Sequence, residues 1–176
     1  MKKKYHQQNS EVLYSKDEIS MVDMSEIEYF KRLSLKNDRK RIRLCAHSAT
    51  TSILHEMLIV HGKDAYVRPH KHPGKSESVH IIEGLVDVVL FADDGRIDHV
   101  INMGEYSSGN IFFYRLEEPI FHTLIIRSDI LVFHETTNGP FDREMTLFAP
   151  WAPIDNAQDS VNDFVSDLKK RVIKYL

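Results

Sequence analysis

The sequence predicts an all-β protein, an antiparallel jelly-roll barrel with a short N-terminal helical segment and a C-terminal α-helix. Three observations carry this reading. Between Arg41 and Trp151, about ten short segments rich in Val, Ile, Phe and Tyr follow one another. Turn chemistry separates several of them, at His61-Gly62-Lys63, Pro73-Gly74-Lys75, Asp93-Asp94-Gly95, Asn102-Met103-Gly104 and Asn138-Gly139-Pro140. No helical periodicity interrupts the series, whereas both flanks show it. The boundaries fall at residues 1–37 for an N-terminal extension with a short helix, 38–154 for the barrel, and 155–176 for an amphipathic helix.

The extension is polar and lysine-rich. Within it Ser25 to Leu35 reads as a helix, because Ile27, Phe30 and Leu33 recur every third residue behind Ser25 as a cap. Such a helix suits packing on the barrel or a dimer contact. The barrel segments are IRLCAH, EMLIVH, AYVRPHKH, SVHIIEG, VDVVLFA, HVINM, IFFYRL, HTLIIR, ILVFHETT and MTLFAP. After Asp155, the residues Val161, Phe164, Val165, Leu168 and Val172 form one apolar stripe at helical spacing. Asn156 or Asp159 caps its start in this reading. The basic residues Lys169, Lys170, Arg171 and Lys174 suit the negative end of the helix dipole.

Composition narrows the function. The 176 residues are 42% hydrophobic and 28% charged, with a formal charge of -3 and a pI near 6.4. That balance gives no electrostatic footprint for nucleic acid. Lys2, Lys3 and Lys4 open the chain without an apolar core behind them, so they do not read as a signal peptide. The longest apolar run, Val88 to Ala92, is too short to cross a bilayer. Cys45 is the single cysteine, which excludes an internal disulfide, suits a reducing cytoplasm, and reads as a small core residue. The expected partner is therefore a small molecule, with neither nucleic acid nor membrane, and with a homodimer as an option.

Ten histidines are spread along the chain, and three crowd into residues 68–84, RPHKHPGKSESVHIIEG. His70 and His72 alternate on a strand and leave the same face, and Arg68 shares their parity. After the turn, Glu77, Val79 and Ile81 face one way while Ser78, His80 and Ile82 face the other. If Glu77 meets the others, period-two geometry turns His80 away. A strand His-x-His by itself suits a hydrogen-bonded pocket as readily as a metal.

The spacing His70-x-His72, four residues, Glu77, six residues, Gly84 resembles the first motif of the cupin superfamily at each position. Gly104, Pro119 and His122 resemble part of its second motif, although Ile126 stands where that motif has asparagine and the gap from Gly104 to Pro119 is long. The resemblance implies a cupin-type barrel and a metal held by His70, His72, Glu77 and His122. Closer still, RKRIRLCAH, YVRPHKH, KSESVHIIEG, VVLFADDG, YRLEEPIFHTLIIRSDILVFHETTNGPFD and FAPWAP resemble the WbuC family of cupin-fold metalloproteins. That likeness runs from about Arg39 to Pro153. It implies a role in bacterial surface-polysaccharide (O-antigen or capsule) synthesis.

Three imidazoles and a carboxylate suit one divalent transition ion, Fe, Mn, Ni or Zn. An open coordination position would polarise a carbonyl or activate water or dioxygen. Arginine binds carboxylate and phosphate bidentately, which makes Arg43 and Arg68, with Tyr114, candidates for substrate binding. His134 is a candidate acid or base, with the proviso that alternation admits only one of His134 and Glu135 to the interior. Phe112, Phe113, Tyr114 and Phe121 either line an apolar mouth or belong to the core. The leading expectation is a metal-dependent enzyme acting on a small anionic sugar derivative, of isomerase or epimerase type on a nucleotide sugar. The alternatives are an Fe-dependent dioxygenase and a non-catalytic metal- or sugar-binding sensor or accessory protein.

Overall fold

Two twisted β-sheets face each other in the computed structural model, which describes residues 4–175. Lys2, Lys3 and Leu176 lie outside the described residues. The chain runs β1 (Tyr5–Asn9), β2 (Val12–Ser15), α1 (Met24–Lys36), β3 (Arg41–Cys45), β4 (Leu54–Gly62) and β5 (His70–Lys71). It continues β6 (Glu77–Glu83), β7 (Leu85–Phe91), β8 (Ile97–Gly104), β9 (Phe113–Leu116), β10 (Phe121–Ile126), β11 (Ile130–Asn138), β12 (Leu147–Phe148) and α2 (Gln158–Val172). One sheet has the order β1-β2-β3-β4-β11-β6-β9 and the other β12-β5-β10-β7-β8. Each of the ten segments expected between Arg41 and Trp151 contributes a strand. The architecture is a two-sheet jelly-roll barrel with a C-terminal helix.

Alternation decides what enters the barrel. On β3, Arg41, Arg43 and Cys45 face the interior, while Ile42 and Leu44 face outward under α1. On β4, His55, Met57, Ile59 and His61 face in, and Val60 joins the outer cluster. The space between the sheets is filled by residues such as Met57, Ile59, Val79, Ile81, Val86, Val88, Met103, Leu131 and Phe133.

The N-terminal segment is more than a helical extension. Its β1–β2 hairpin widens the larger sheet, and β2 joins β3 in parallel, the exception in an otherwise antiparallel sheet. Helix α1 lays Ile27, Phe30 and Leu33 on the outer face of β3 and β4, where Phe30 is 1% exposed. Its cap is Asp23, two residues ahead of the expected Ser25. The Asp23 carboxylate accepts from the N–H groups of Ser25 (2.8 Å) and Glu26 (3.2 Å), and Glu26 accepts from Asp23 N–H (3.0 Å). This reciprocal capping box satisfies donors that Ser25 at the cap would leave inside the helix.

Helix α2 packs Val161, Leu168 and Val172 inward, the last two against Val89, Phe91, Ile97, Phe121 and Ile125 on the outer face of the smaller sheet. Neither Asn156 nor Asp159 caps it. The N-cap position is Ala157, without a side-chain hydrogen bond. At Gly84 the chain crosses from one sheet to the other between β6 and β7. Its φ is +95°, and a Cβ there would lie 2.4 Å from the carbonyl oxygen of Ile130. Only glycine fits that corner without strain.

Candidate metal centre

The site is assembled where β5, β6 and β10 meet. His70 on β5 stands opposite His122 on β10 in register, so the two imidazoles are direct cross-strand neighbours, with ring centroids 4.5 Å apart. His72 follows just beyond β5, and the Pro73–Ser76 turn delivers Glu77 as the first residue of β6. One ring nitrogen from each of His70, His72 and His122 lies within 4.8 Å of the others. Glu77 joins them from the larger sheet, with Oε1 3.2 Å from His122 Nε2 and Oε2 3.8 Å from His72 Nε2.

Hydrogen bonds orient all three rings in the same sense. Nδ1 of His70 lies 2.8 Å from the carbonyl oxygen of Arg68, Nδ1 of His72 3.2 Å from that of Met145, and Nδ1 of His122 2.9 Å from that of Ile120. A carbonyl only accepts, so each Nδ1 carries a proton, and Nε2 is the ring nitrogen left to face an ion. Burial, and repulsion from His122 and His72, hold His70 well below the usual imidazole range. Burial also lowers His72, against the opposing pull of Glu77. Neutral rings with carbonyl-anchored Nδ1 atoms are the form in which histidine binds a metal. The donor set therefore fits a divalent transition ion.

These groups line the wall of a cavity of about 520 Å³ that runs through the barrel. Arg43, Arg68 and Tyr114 line it too. Tyr114 is buried, and its hydroxyl donates to Glu77 Oε1 at 3.0 Å. Burial and the neighbouring carboxylates push that phenol well above its usual range. Arg68 is partly engaged: its Nη2 donates to Ala149 O at 3.3 Å and its guanidinium lies 4.9 Å from the ring centre of Phe148.

His134 is not part of this interior. It faces out, opposite His80 in the β11–β6 register, and pairs with Glu56. Glu135, its neighbour, takes the inner face of β11 and lines the cavity. The reason is local: Phe133, Glu135 and Thr137 share one parity, and Phe133 belongs to the core. Burial first, and the Glu77 charge second, push the Glu135 carboxyl up to about 8, with Arg43 pulling the other way. His80 is exposed on the outer face, beside Phe112. The four aromatics expected at an apolar mouth or in the core divide between surface, core and cavity. Phe112 and Phe113 are 38% and 52% exposed on the outside, and Phe121 packs under α2, so Tyr114 alone of the four lines the cavity.

Sequence reasoning missed Tyr14, His47, His55 and His61, which also line the interior. Their signal is the shared parity of His55, Met57, Ile59 and His61 on one strand. It becomes readable only once the inner face of β4 is known.

Comparison with known proteins agrees with this architecture. A domain family of unknown function, DUF6016, matches residues 22–103, a little under half of the chain. No curated protein matches. A structural-genomics target from Shewanella oneidensis superposes with a TM-score of 0.56 at 8% identity, covering 88% of this chain and 98% of its own. The fold is shared over most of this chain. A cupin 2 conserved barrel domain protein from Rhodopseudomonas palustris gives a TM-score of 0.48 at 12% identity, with 72% and 77% coverage. Oxalate decarboxylase from Bacillus subtilis gives 0.42 at 21% identity over 51% of this chain, which spans 22% of the decarboxylase chain. These likenesses concern the fold.

Proposed function

We propose that the protein is a metal-dependent enzyme acting on a small anionic sugar derivative, with His70, His72, His122 and Glu77 holding one divalent transition ion. One observation carries the reading. Three imidazoles, each anchored through Nδ1 to a backbone carbonyl, bring a ring nitrogen each to a shared point beside a buried carboxylate. Fe, Mn, Ni and Zn all suit this N₃O set. When bound, the ion supplies Lewis-acid polarisation of a substrate oxygen.

The chain's own residues support proton transfer at that point. Burial and the Glu77 charge raise the Glu135 carboxyl to about 8, near neutrality, and a group poised to give and take a proton at carbon is what an isomerase or epimerase requires. Tyr114 fixes the Glu77 carboxylate, and the apolar wall of Met57, Ile59, Val79 and Phe133 keeps bulk water away. A cavity of about 520 Å³ suits a ligand of monosaccharide size better than an extended polymer. The likeness in sequence to WbuC supports a setting in surface-polysaccharide synthesis, in the cytoplasm where nucleotide sugars are made.

The test has two parts. Elemental analysis of protein purified without chelators should find one transition ion per chain, and none in His72→Ala. The metal-loaded protein is then incubated in D₂O with nucleotide sugars and sugar phosphates, aerobically and anaerobically. Deuterium incorporation at carbon without oxygen uptake is the expected result. Oxygen consumption would move the assignment to a dioxygenase, and binding without turnover under both conditions to a sensor or accessory protein.

A further inference from the structure

Among the described residues, four buried side-chain nitrogens lack a hydrogen-bond partner: Arg43 Nε, Arg68 Nε, His55 Nε2 and His61 Nδ1. All four residues line the same cavity. Buried polar groups are ordinarily satisfied, so their concentration around one chamber is informative. Arg43 stands out. Arg41 has Glu11, Arg39 has Asp155, and Arg127 has Asp87, but the Arg43 side chain makes neither a hydrogen bond nor an ion pair among the described residues.

Its register explains the isolation. Val12 flanks Arg43 on β2 and Ile59 flanks it on β4, so no carboxylate sits across either strand. Its charge is nonetheless felt by Tyr14, Cys45, His47 and Glu135, all farther along the barrel toward the metal centre. Arg43 lines the cavity with its Nε buried and unpaired, and a buried polar group left without a partner is costly unless a ligand completes it.

We propose that Arg43 is the seat of a compact oxyanion, a carboxylate or phosphate, on a ligand whose other end meets the metal centre. This rests on the reading of the barrel interior as the ligand chamber, and it makes the ligand two-ended. The pairing Arg43–Ile59–Phe133–Ile81 places the arginine four residues from Glu77 along the strand direction. At about 3.3 Å per residue that is roughly 13 Å along the strands, with three strand spacings across the curved sheet besides, shortened by the reach of the arginine side chain. The ligand that joins the two ends is therefore of sugar-phosphate size or longer. Arg68, already held by Ala149 and Phe148, lines the wall between them as a secondary contact.

The Nε–Hε resonance of Arg43, identified by its loss in Arg43→Gln, provides a direct readout by NMR. Chelator-treated protein is titrated with orthophosphate and, separately, with acetate, so that metal coordination plays no part. A saturable shift of that resonance is expected with at least one anion, and the responding anion tells phosphate from carboxylate. Anion affinity in Arg43→Gln should fall by roughly tenfold or more, as for loss of a charge-assisted bidentate contact. Undiminished anion binding in Arg43→Gln, or no saturable shift with either anion, would each overturn the proposal. Metal content is measured separately. Arg43-dependent anion binding by a protein that holds no metal would overturn the metal reading and leave the oxyanion seat standing.

Discussion

Tyr114 donates its hydroxyl hydrogen to Glu77 Oε1 at 3.0 Å, and that same oxygen stands 3.2 Å from His122 Nε2. The phenol therefore holds the carboxylate so that Oε1 faces His122 while Oε2, 3.8 Å from His72 Nε2, faces His72. Both residues belong to the larger sheet, where Tyr114 pairs with Val79, two residues along β6 from Glu77. The orientation is built into strand register instead of resting on a mobile loop.

Tyr114→Phe should bind metal about 10- to 100-fold more weakly, the usual cost of removing a partner that orients a ligand. Competition with a chelator of known affinity for Zn or Mn measures this. An unchanged affinity would show that Glu77 needs no help to hold its orientation.

Removing the metal should lower stability by mass action. With free metal at 100 times its Kd, the holo form gains about 2.7 kcal/mol over the chelated form. The difference should vanish in His70→Ala and in His122→Ala. Thermal melts with and without chelator read it directly, and an equal chelator effect in these variants would count against the ligand set.

Glu135→Gln should retain stoichiometric metal and lose turnover by about 10²- to 10⁴-fold, the usual contribution of a positioned acid or base. His134→Gln, on the outer face beside Glu56, should stay near wild type. The reverse ranking would return the acid–base role to His134.

His61 is fully buried, and burial, with Arg41 and Arg39 adding to it, holds its imidazole down to about 3. Its folded pKa lies below the unfolded value near 6.5, so the unfolded chain takes up a proton that the folded protein refuses. The stability it contributes is complete above 6.5 and is lost as pH falls toward 3. Between pH 7.5 and pH 5 the loss is about 2 kcal/mol, from 1.5 units at 1.36 kcal/mol each. His61→Phe, whose ring suits the edge-on contact with Phe133, should be less sensitive to this pH change by about that amount in urea unfolding. Equal pH sensitivity would mean that His61 reaches solvent in the folded state.

Much of the fold was legible because strands and amphipathic helices write their periods into local sequence. The strand segments between Arg41 and Trp151, the Phe30 stripe and the Leu168 stripe are all of this kind. Cap choice was less legible: Ser25 and Asp23 are both competent caps, and Asp23 prevails because Glu26 stands three residues after it and closes the box. The parallel β2–β3 pair had no local signal, since pairing direction depends on where α1 returns the chain.

The sequence by itself determined the spacing of His70, His72 and Glu77, the shared parity of the two histidines, and the glycine needed at position 84. These depend on bonds, alternation and turn geometry among near neighbours. Tertiary structure alone decided that Glu135 and not His134 turns inward, that Phe112 and Phe113 face solvent, and that Arg43 lines the barrel without a side-chain partner among the described residues. Alternation assigns residues to two faces but not which face is inside. That choice is made by the opposite sheet, through the apolar area the two sheets bury together.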